Sequence, residues 1–394
     1  MKIKSIQLKN YKRFKNLKID LGEHPNRIVA LVGPNGCGKS SVFDGCLYHA
    51  HIYSQIGKTG EKDYRYHSLE QNPGYDANNI SIIFDEGDLY QVYKEKAIQG
   101  KQNTIFSFRS PYRYNNSLRV KQLIASDDIS KNNYGASYSS ELDEKMEQNY
   151  RRLYIAYNNY LNEKDCKPSE AKAKIIGDLN KSISRCLNLR IVDIGNIEAD
   201  KGTLYFIKDD HKKEFDFNVL SSGEKEVVDI LLDLYLRKEE YNDTIYLIDE
   251  PELHINTSIQ RQLLLEINKL IPDECQIWVA THSIGFLRAL QDELKEDCDI
   301  IQFEESINWA SEDQELKPIK KTVNKWQEIF ETALDDLTGL VSPRRIIYCE
   351  GKLQNALDEK MYNKIFEQKY DDTIFIASGC KSYVQKYSSI YNKT

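Results

Sequence analysis

Apolar and polar residues alternate through Ile3, Ser5, Ile6, Gln7 and Leu8, and again through Leu17, Lys18, Ile19, Asp20 and Leu21. Period-two patterning of this kind predicts two antiparallel strands around the turn-like NYKRFKN segment. Ile28 to Val32 is different: a continuous apolar run, the pattern of a strand covered on both faces, feeding a glycine-rich stretch and then a helix over about Lys39 to Ala50. Three more strand-like runs, ISIIF, LYQVY and TIFSF, fall between residues 80 and 108, and from about Ser139 the pattern becomes helical. Tyr150, Tyr154, Tyr157 and Leu161 share one helix face, which serves either core packing or stacking on nucleic-acid bases. No heptad persists over several turns, so the 180 residues between Ser40 and Ser221 are expected to form a compact insertion and not a coiled-coil arm.

Farther along, strands are expected near Leu189 to Ile194 and Thr203 to Ile207. An alternating series follows: helix Glu224 to Arg237, strand Ile245 to Ile248, helix Thr257 to Leu270, strand Gln276 to Ala280, helix Ile284 to Leu294. Strands alternating with helices imply βαβ crossovers and a mostly parallel sheet. The polar segment Ser311 to Lys325 reads as a loop or linker, Trp326 to Leu337 as a helix, and Arg345 to Cys349 as the opening of a second βα series. The expected class is therefore α/β, with a mixed sheet. The expected division is a main domain over 1–310 with a mainly helical insertion at about 110–190, a linker and helix over 311–342, and a partial second α/β domain over 343–394.

Composition narrows this only a little. The 394 residues, 40% hydrophobic and 29% charged, fit a globular chain, and no apolar run approaches the ~20 residues that span a bilayer. The opening MKIKSIQLKNYK has no apolar middle of the secretory kind, which predicts a cytoplasmic protein with no membrane partner. Eight scattered cysteines without a C-x-x-C pair read as reduced thiols. Against a net charge of −7, the stretch from Lys2 to Lys18 carries seven basic residues and no acid. That cluster either meets nucleic-acid phosphates or guards an edge strand.

The chemistry is concentrated in four short motifs. Gly33, Gly38, Lys39 and Ser40 fit G-x-x-x-x-G-K-[ST] after a buried strand and before a helix. In that setting the backbone N–H groups of Asn35, Gly36 and Gly38 close around phosphates, Lys39 bridges them, and Ser40, beside Ser41, ligates Mg²⁺. TIYLIDEPE delivers Asp249 and Glu250 to a strand end, where a parallel sheet binds ligands; Asp249 is the expected Mg²⁺ ligand and Glu250 the base for the attacking water. WVATHS ends another buried strand at His282, which is either an ordinary satisfied histidine or a γ-phosphate contact. LSSGEKE, with Ser221 three residues before Glu224, is on its own a plain capping box.

Taken with the other motifs, LSSGEKE is similar to the signature loop of ABC-type ATPases. The opening IKSIQLKNYKRFKNLKIDL, GPNGCGKSS, LSSGEKE, LIDEPELHIN and ATHS together resemble, over about residues 1–305, the ATPase heads of the SMC, RecF and OLD (overcoming lysogenization defect) group. The short insertion is similar to the compact OLD class. This resemblance implies ATP and Mg²⁺ as ligands. It also implies that Ser221, Ser222 and Gly223 serve the nucleotide of a second copy, in a homodimer or higher homo-oligomer with ATP sandwiched between subunits. The glutamine of the group's Q-loop is left open among Gln71, Gln91 and Gln99. RRIIYCEGKLQNALDEKMYNKIF resembles the start of a TOPRIM domain, implying a metal ligand at Glu350, although Asp371 and Asp372 precede the next strand where the family has acids ending a later one; an ordinary Glu-Gly turn is the alternative. The resemblance as a whole implies a DNA-cleaving anti-phage effector under ATPase control. Two alternatives stay open: an ATPase scaffold holding a separate defence-system subunit or RNA, and a RecF-like DNA-repair ATPase.

Overall fold

The computed structural model describes residues 1–55, 79–115, 117–122, 136, 138–197, 199, 201–208, 213–304, 307–334, 345–349, 351, 356–366, 369 and 373–377. Two units divide the chain, Met1–Pro318 and Ile319–Thr394.

The first unit opens with β1 (Ile3–Tyr11) and β2 (Phe14–Asp20), paired antiparallel with Leu8 opposite Leu17, as the alternation predicts. Next come β3 (Ile28–Val32), α1 (Lys39–Gln55), β4 (Ile80–Phe84), the short β5 (Gly87–Asp88), α2 (Leu89–Ile98) and β6 (Phe106–Arg109). The LYQVY run, expected as a strand, is instead the start of α2. Its local chemistry explains the difference: Asp88 accepts from the Gln91 backbone N–H while the Gln91 side chain accepts from that of Asp88, a reciprocal cap that fixes a helix start. Gln91, one of the three Q-loop candidates, is engaged in that cap; Gln71 lies outside the described residues.

Two long helices, α3 (Lys145–Lys164) and α4 (Pro168–Leu187), form the helical insertion, followed by the small antiparallel sheet of β7 (Leu189–Asp193), β8 (Tyr205–Lys208) and β9 (Phe215–Asp216). In α3, Tyr150 is fully buried and donates its hydroxyl to the Ile194 carbonyl at 2.6 Å, so the innermost ring of the aromatic stripe belongs to the core. Then come α5 (Ser222–Arg237), β10 (Ile245–Asp249), α6 (Thr257–Leu270), β11 (Gln276–Thr281), α7 (Ile284–Asp292), β12 (Cys298–Gln302) and β13 (Asp313–Leu316).

Two five-stranded sheets result among the described residues. One is parallel, in the order β12-β3-β11-β10-β6; the other is mixed, in the order β13-β2-β1-β4-β5. The main core lies between them: Ile6, Leu8, Leu17 and Ile19 of the mixed sheet meet Val29, Leu31, Leu247 and Trp278 of the parallel one, with Val42 and Phe43 of α1 in the same cluster. Every residue of β3 is at most 1% exposed. Each such Val, Leu or Ile side chain contributes about 1.5–3 kcal/mol of burial free energy, which is why this run has no polar alternation.

The segment expected as a linker after residue 310 supplies β13, which pairs in parallel with β2 and brings Asp313 and Glu315 beside the amino-terminal lysines. Lys15 pairs with Asp313 at 3.3 Å, Lys18 with Glu315 at 2.9 Å and Asp20 at 3.1 Å, and Lys4 with Glu23 at 2.6 Å. Part of the basic run thus meets carboxylates, two of which arrive on β13 from far along the chain, and exposed pairs of this type stabilise by ~1 kcal/mol or less.

The second unit contains α8 (Val323–Leu334), β14 (Arg345–Cys349), α9 (Leu357–Phe366) and β15 (Thr373–Ala377), with β14 and β15 parallel. Asn363 of α9 acts as a surrogate strand residue, donating to the Phe375 carbonyl at 2.9 Å and accepting from its N–H at 2.8 Å. This is the expected strand-helix-strand order. Glu350, Asp371 and Asp372 lie outside the described residues. Among those described, no helix is long and apolar enough to cross a membrane.

Candidate functional site

Parallel pairing puts the motif-bearing strands side by side. In the register of the sheet, Leu31 of β3 partners Ala280 of β11, which in turn partners Asp249 of β10. The glycine-rich loop, the ATHS turn and the DE pair therefore leave the same carboxyl edge within two strand spacings, roughly 10 Å.

The loop after β3 curls over the amino terminus of α1. Gly38 has φ +108°, and a Cβ there would stand 2.5 Å from the Phe14 ring, so both backbone and space demand glycine. Lys39 is folded inward: its ammonium donates to the Gly33 carbonyl at 2.8 Å and the Pro34 carbonyl at 2.9 Å. Asn35 and Gly36 are exposed, and Ser40 and Ser41 are half-buried on the first turn of α1. Beside the loop lies a recess of about 250 Å³, lined by Arg13, Asn35, Gly36, Ile307 and Trp309 among others. Behind the loop, Asp44 of α1 is buried, pairs with Lys12, and accepts from the Ser139 N–H at 2.7 Å and hydroxyl at 2.6 Å. Lys12 is thus a further member of the basic run with a carboxylate partner.

At the end of β10, Asp249 is fully buried and neither carboxylate oxygen has a hydrogen-bond partner. Burial pushes this carboxyl up to about 7; the nearby Ser40 hydroxyl and Lys39 charge work the other way without a hydrogen bond of good geometry to Asp249. A buried, unsatisfied acid facing a phosphate-type loop is the donor chemistry of a divalent-cation site. Asp249 and Ser40 fit an Mg²⁺ ion in type and place.

Glu250 follows with φ +42°, a left-handed conformation that costs a residue other than glycine or asparagine about 1–2 kcal/mol. Three hydrogen bonds impose it. The Glu250 N–H donates to the Ala280 carbonyl at 2.9 Å, while its own carbonyl accepts from Leu253 N–H at 3.2 Å and from Arg113 at 3.1 Å. The turn brings the Glu250 side chain to His282, whose Nδ1 lies 3.8 Å from Glu250 Oε1 and equally 3.8 Å from Glu252 Oε1. Glu252 is buried, accepts from the Thr281 hydroxyl at 2.6 Å and the His282 N–H at 3.0 Å, and has its carboxyl pushed up by burial. It locks the ATHS turn to the DE turn. The motif reading passed over it, although the last acid of DEPE was its visible signal.

Ser221, Ser222 and Gly223 stand at the amino terminus of α5. Ser221 accepts from the Glu224 N–H at 3.4 Å, and Glu224 Oε2 accepts from the Ser221 N–H at 2.9 Å, so the plain capping-box reading is realised in full. Ser221 and Ser222 are nonetheless exposed. Gly223 packs on the turn after the DE pair: a Cβ would lie 2.6 Å from the His254 carbonyl, itself on a residue with φ +64°.

Behind this corner, one face of α5 carries Glu226, Asp229, Asp233 and Arg237, all buried. Arg109 at the end of β6 hydrogen-bonds Asp229 and lies 3.4 Å from both Asp143 and Asp233; Arg237 meets Asp233 at 2.8 Å. Burial opposes the Arg109 charge, but the three aspartates outweigh it and hold its pKa above the ordinary value. Burial raises the Asp229 carboxyl to about 6, with Arg109 working against it. Such pairs are costly to break from one side, because the remaining charge is left buried.

Comparison with known proteins supplies the context for this geometry. A family model described as "AAA domain, putative AbiEii toxin, Type IV TA system" matches residues 28–288, and one described as "AAA ATPase domain" matches residues 1–45. The chromosome partition protein Smc of Methanocaldococcus jannaschii is 41% identical over 63 residues, covering 16% of this chain and 5% of that protein. That of Methanococcus voltae is 35% identical over 89 residues, 21% of this chain and 7% of the relative, so the chain matches only a small part of either length. Solved structures with a partial likeness include an Smc head bound to the C-terminal winged-helix domain of ScpA (14% identity, TM-score 0.42, 77% of this chain and 94% of that one). The Thermotoga maritima SMC head is another (13% identity, TM-score 0.41, 81% and 100%).

Proposed function

The chain belongs to the AAA-domain family described as a putative AbiEii toxin of type IV toxin–antitoxin systems, and from that premise we propose an ATP-hydrolysing switch completed by a second copy of the chain. It is an ATPase of the AAA/ABC kind. The observation that carries the site assignment is the buried Asp249, whose two unpartnered oxygens face the loop that presents Lys39 and Ser40. We assign the phosphates to Asn35, Gly36, Gly38, Lys39, Ser40 and Ser41, the Mg²⁺ to Ser40 and Asp249, and the nucleoside end to the recess beside Asn35. An Mg²⁺ held by Ser40 and Asp249 would supply charge neutralisation to the phosphates. Lys39 gives up its two carbonyls for phosphate oxygens, Glu250 takes the proton of the attacking water, and His282, held by Glu252, contacts the γ-phosphate. In an isothermal titration, Lys39→Ala is expected to abolish ATP binding; unchanged affinity would remove the assignment.

Ser221, Ser222 and Gly223 are assigned to the γ-phosphate of the second copy's nucleotide, giving two ATP molecules at a head-to-tail interface. The exposure of Ser221 and Ser222 at a helix amino terminus supports this, since that end of α5 favours an anion.

What the switch controls is the finer part of the reading. We propose Mg²⁺-dependent DNA cleavage by the second unit, in an OLD-type anti-phage effector, supported by the resemblance of its strand-helix-strand segment to a TOPRIM start. Its metal ligand would be Glu350. Plasmid nicking that survives Glu350→Ala with ATP binding intact would refute the assignment of Glu350, whereas a parent chain that binds ATP and does not nick would leave the alternative roles: a scaffold for a separate defence subunit or RNA, or a RecF-like repair ATPase.

A further inference from the structure

We propose that Arg113 is a positioning residue that holds the peptide carrying Glu250 and ties it to the helix bearing the Ser221 corner. The proposal rests on the ATPase reading above and adds to it a link between the two halves of the site within one chain.

Arg113 follows β6 in a segment whose neighbours Tyr112 and Tyr114 are exposed, yet its own side chain is wholly buried. The guanidinium is shared between two elements. Toward α5, Nε donates to Glu226 Oε2 at 2.5 Å. Toward the DE turn, Nη2 donates to the Glu250 carbonyl at 3.1 Å and Nη1 reaches the Asp249 carbonyl at 3.3 Å, while Nη1 also donates to the Ser110 carbonyl at 2.8 Å. A rigid planar fork is suited to such bridging because it offers several donors in fixed relative directions, which a lysine ammonium does not.

The two ends it joins are the ones that matter. Glu250 is left-handed only because its peptide is gripped on both sides, and Arg113 supplies one side of the grip. Glu226 lies five residues beyond Ser221, where Asn115 steadies its other oxygen at 3.1 Å. Below it, Asp229 and Asp233 anchor the same face of α5 to Arg109 of β6, while Arg237 of α5 itself pairs with Asp233. A shift of α5 therefore has to move Arg113 or break a buried ion pair, and a shift of Arg113 moves the Glu250 peptide. Contact made by a second nucleotide at Ser221 thus reaches the base that serves the first. Arg113 touches only backbone atoms of Asp249 and Glu250, so its effect is on the placement of the base and not on the chemistry itself.

The test is steady-state ATP hydrolysis together with equilibrium binding of a fluorescent ATP analogue, on the full chain carrying Arg113→Lys, Glu226→Gln, or both. Misplacing a reacting group by about 1 Å costs about 100-fold. Arg113→Lys is expected to lower kcat by about that factor and Glu226→Gln by about 10-fold, each with analogue affinity within about 2-fold of the parent. The double variant is expected to be no worse than Arg113→Lys alone, because both act through one contact. Glu226→Gln keeps volume and hydrogen-bonding capacity, so it answers the question if Arg113→Lys fails to fold. Folded variants with parent kcat, or kcat losses that add fully in the double variant, overturn the link while leaving the ATPase reading standing. A parent protein without ATPase activity, or an equally active Lys39→Ala, overturns both.

Discussion

The cradle around Lys39 and the corner at Ser221 are both helix amino termini offered to a phosphate, and they differ in how their polar groups are satisfied. At the cradle, Lys39 is parked on two backbone carbonyls, and Asp249 is buried with no partner at all. At the corner, Ser221 and Glu224 close a reciprocal cap and nothing is left over. The first region is arranged for a ligand that its own chain does not supply. The second is a sound helix start that acquires a ligand only if something displaces the cap. The difference teaches that one region declares its function through unmet electrostatic demand, whereas the other declares it only through exposure and company.

This contrast can be broken or sharpened by substitution. The largest effect is expected at the cradle, where Lys39→Ala should weaken ATP binding by more than about 100-fold, read by calorimetry, because a charged hydrogen-bonding partner of the phosphates is lost. Glu250→Gln should retain ATP affinity and lower kcat by about 100- to 1,000-fold, as for loss of a general base. It should also shift the mass measured by light scattering from monomer to dimer when ATP is present. At the corner, Ser221→Ala should cost only about 1 kcal/mol of folding stability, the loss of one cap, seen as a midpoint lowered by a few degrees in thermal unfolding.

A pH-dependent effect concerns the buried charges behind the corner. The Asp229 carboxyl has a folded pKa of about 6, above its ordinary value near 4, so the folded chain binds this proton more tightly than the unfolded one. The stability it contributes is present below about pH 4 and lost as pH rises through about 6. Relative to Asp229→Asn, the parent should therefore lose ground over that window, by an amount on the order of 1–3 kcal/mol in denaturant titrations at stepped pH.

The sequence disclosed the cradle because its requirements are local. A glycine with φ +108°, a lysine one residue later and an apolar strand before them are contiguous, and the alternating strands and helices after Ser221 fix a parallel sheet with the DE and ATHS ends on one edge. Arg113 was invisible in the same reading, since its meaning comes from Glu226 and Glu250, residues 113 and 137 positions away. The surroundings of the amino-terminal lysines were hidden in the same way: Asp313 and Glu315, which pair with Lys15 and Lys18, arrive on β13, which pairs with β2 across almost 300 residues. Where a local signal was overruled, as in LYQVY, the overruling was itself local, a cap between Asp88 and Gln91 that outweighed the strand propensity of the aromatic and branched residues.

Complementation between two defective copies tests the central claim most directly. Lys39→Ala keeps the corner and loses the cradle; Ser221→Arg keeps the cradle and fills the corner with a bulky cation. If the site is shared between copies, each variant alone is inactive, and an equimolar mixture regains about a quarter of the parent ATPase rate, since half the dimers are mixed and each of these holds one intact site. A Ser221→Arg protein that hydrolyses ATP at the parent rate by itself, or a mixture that stays inactive while both variants are folded, would contradict it.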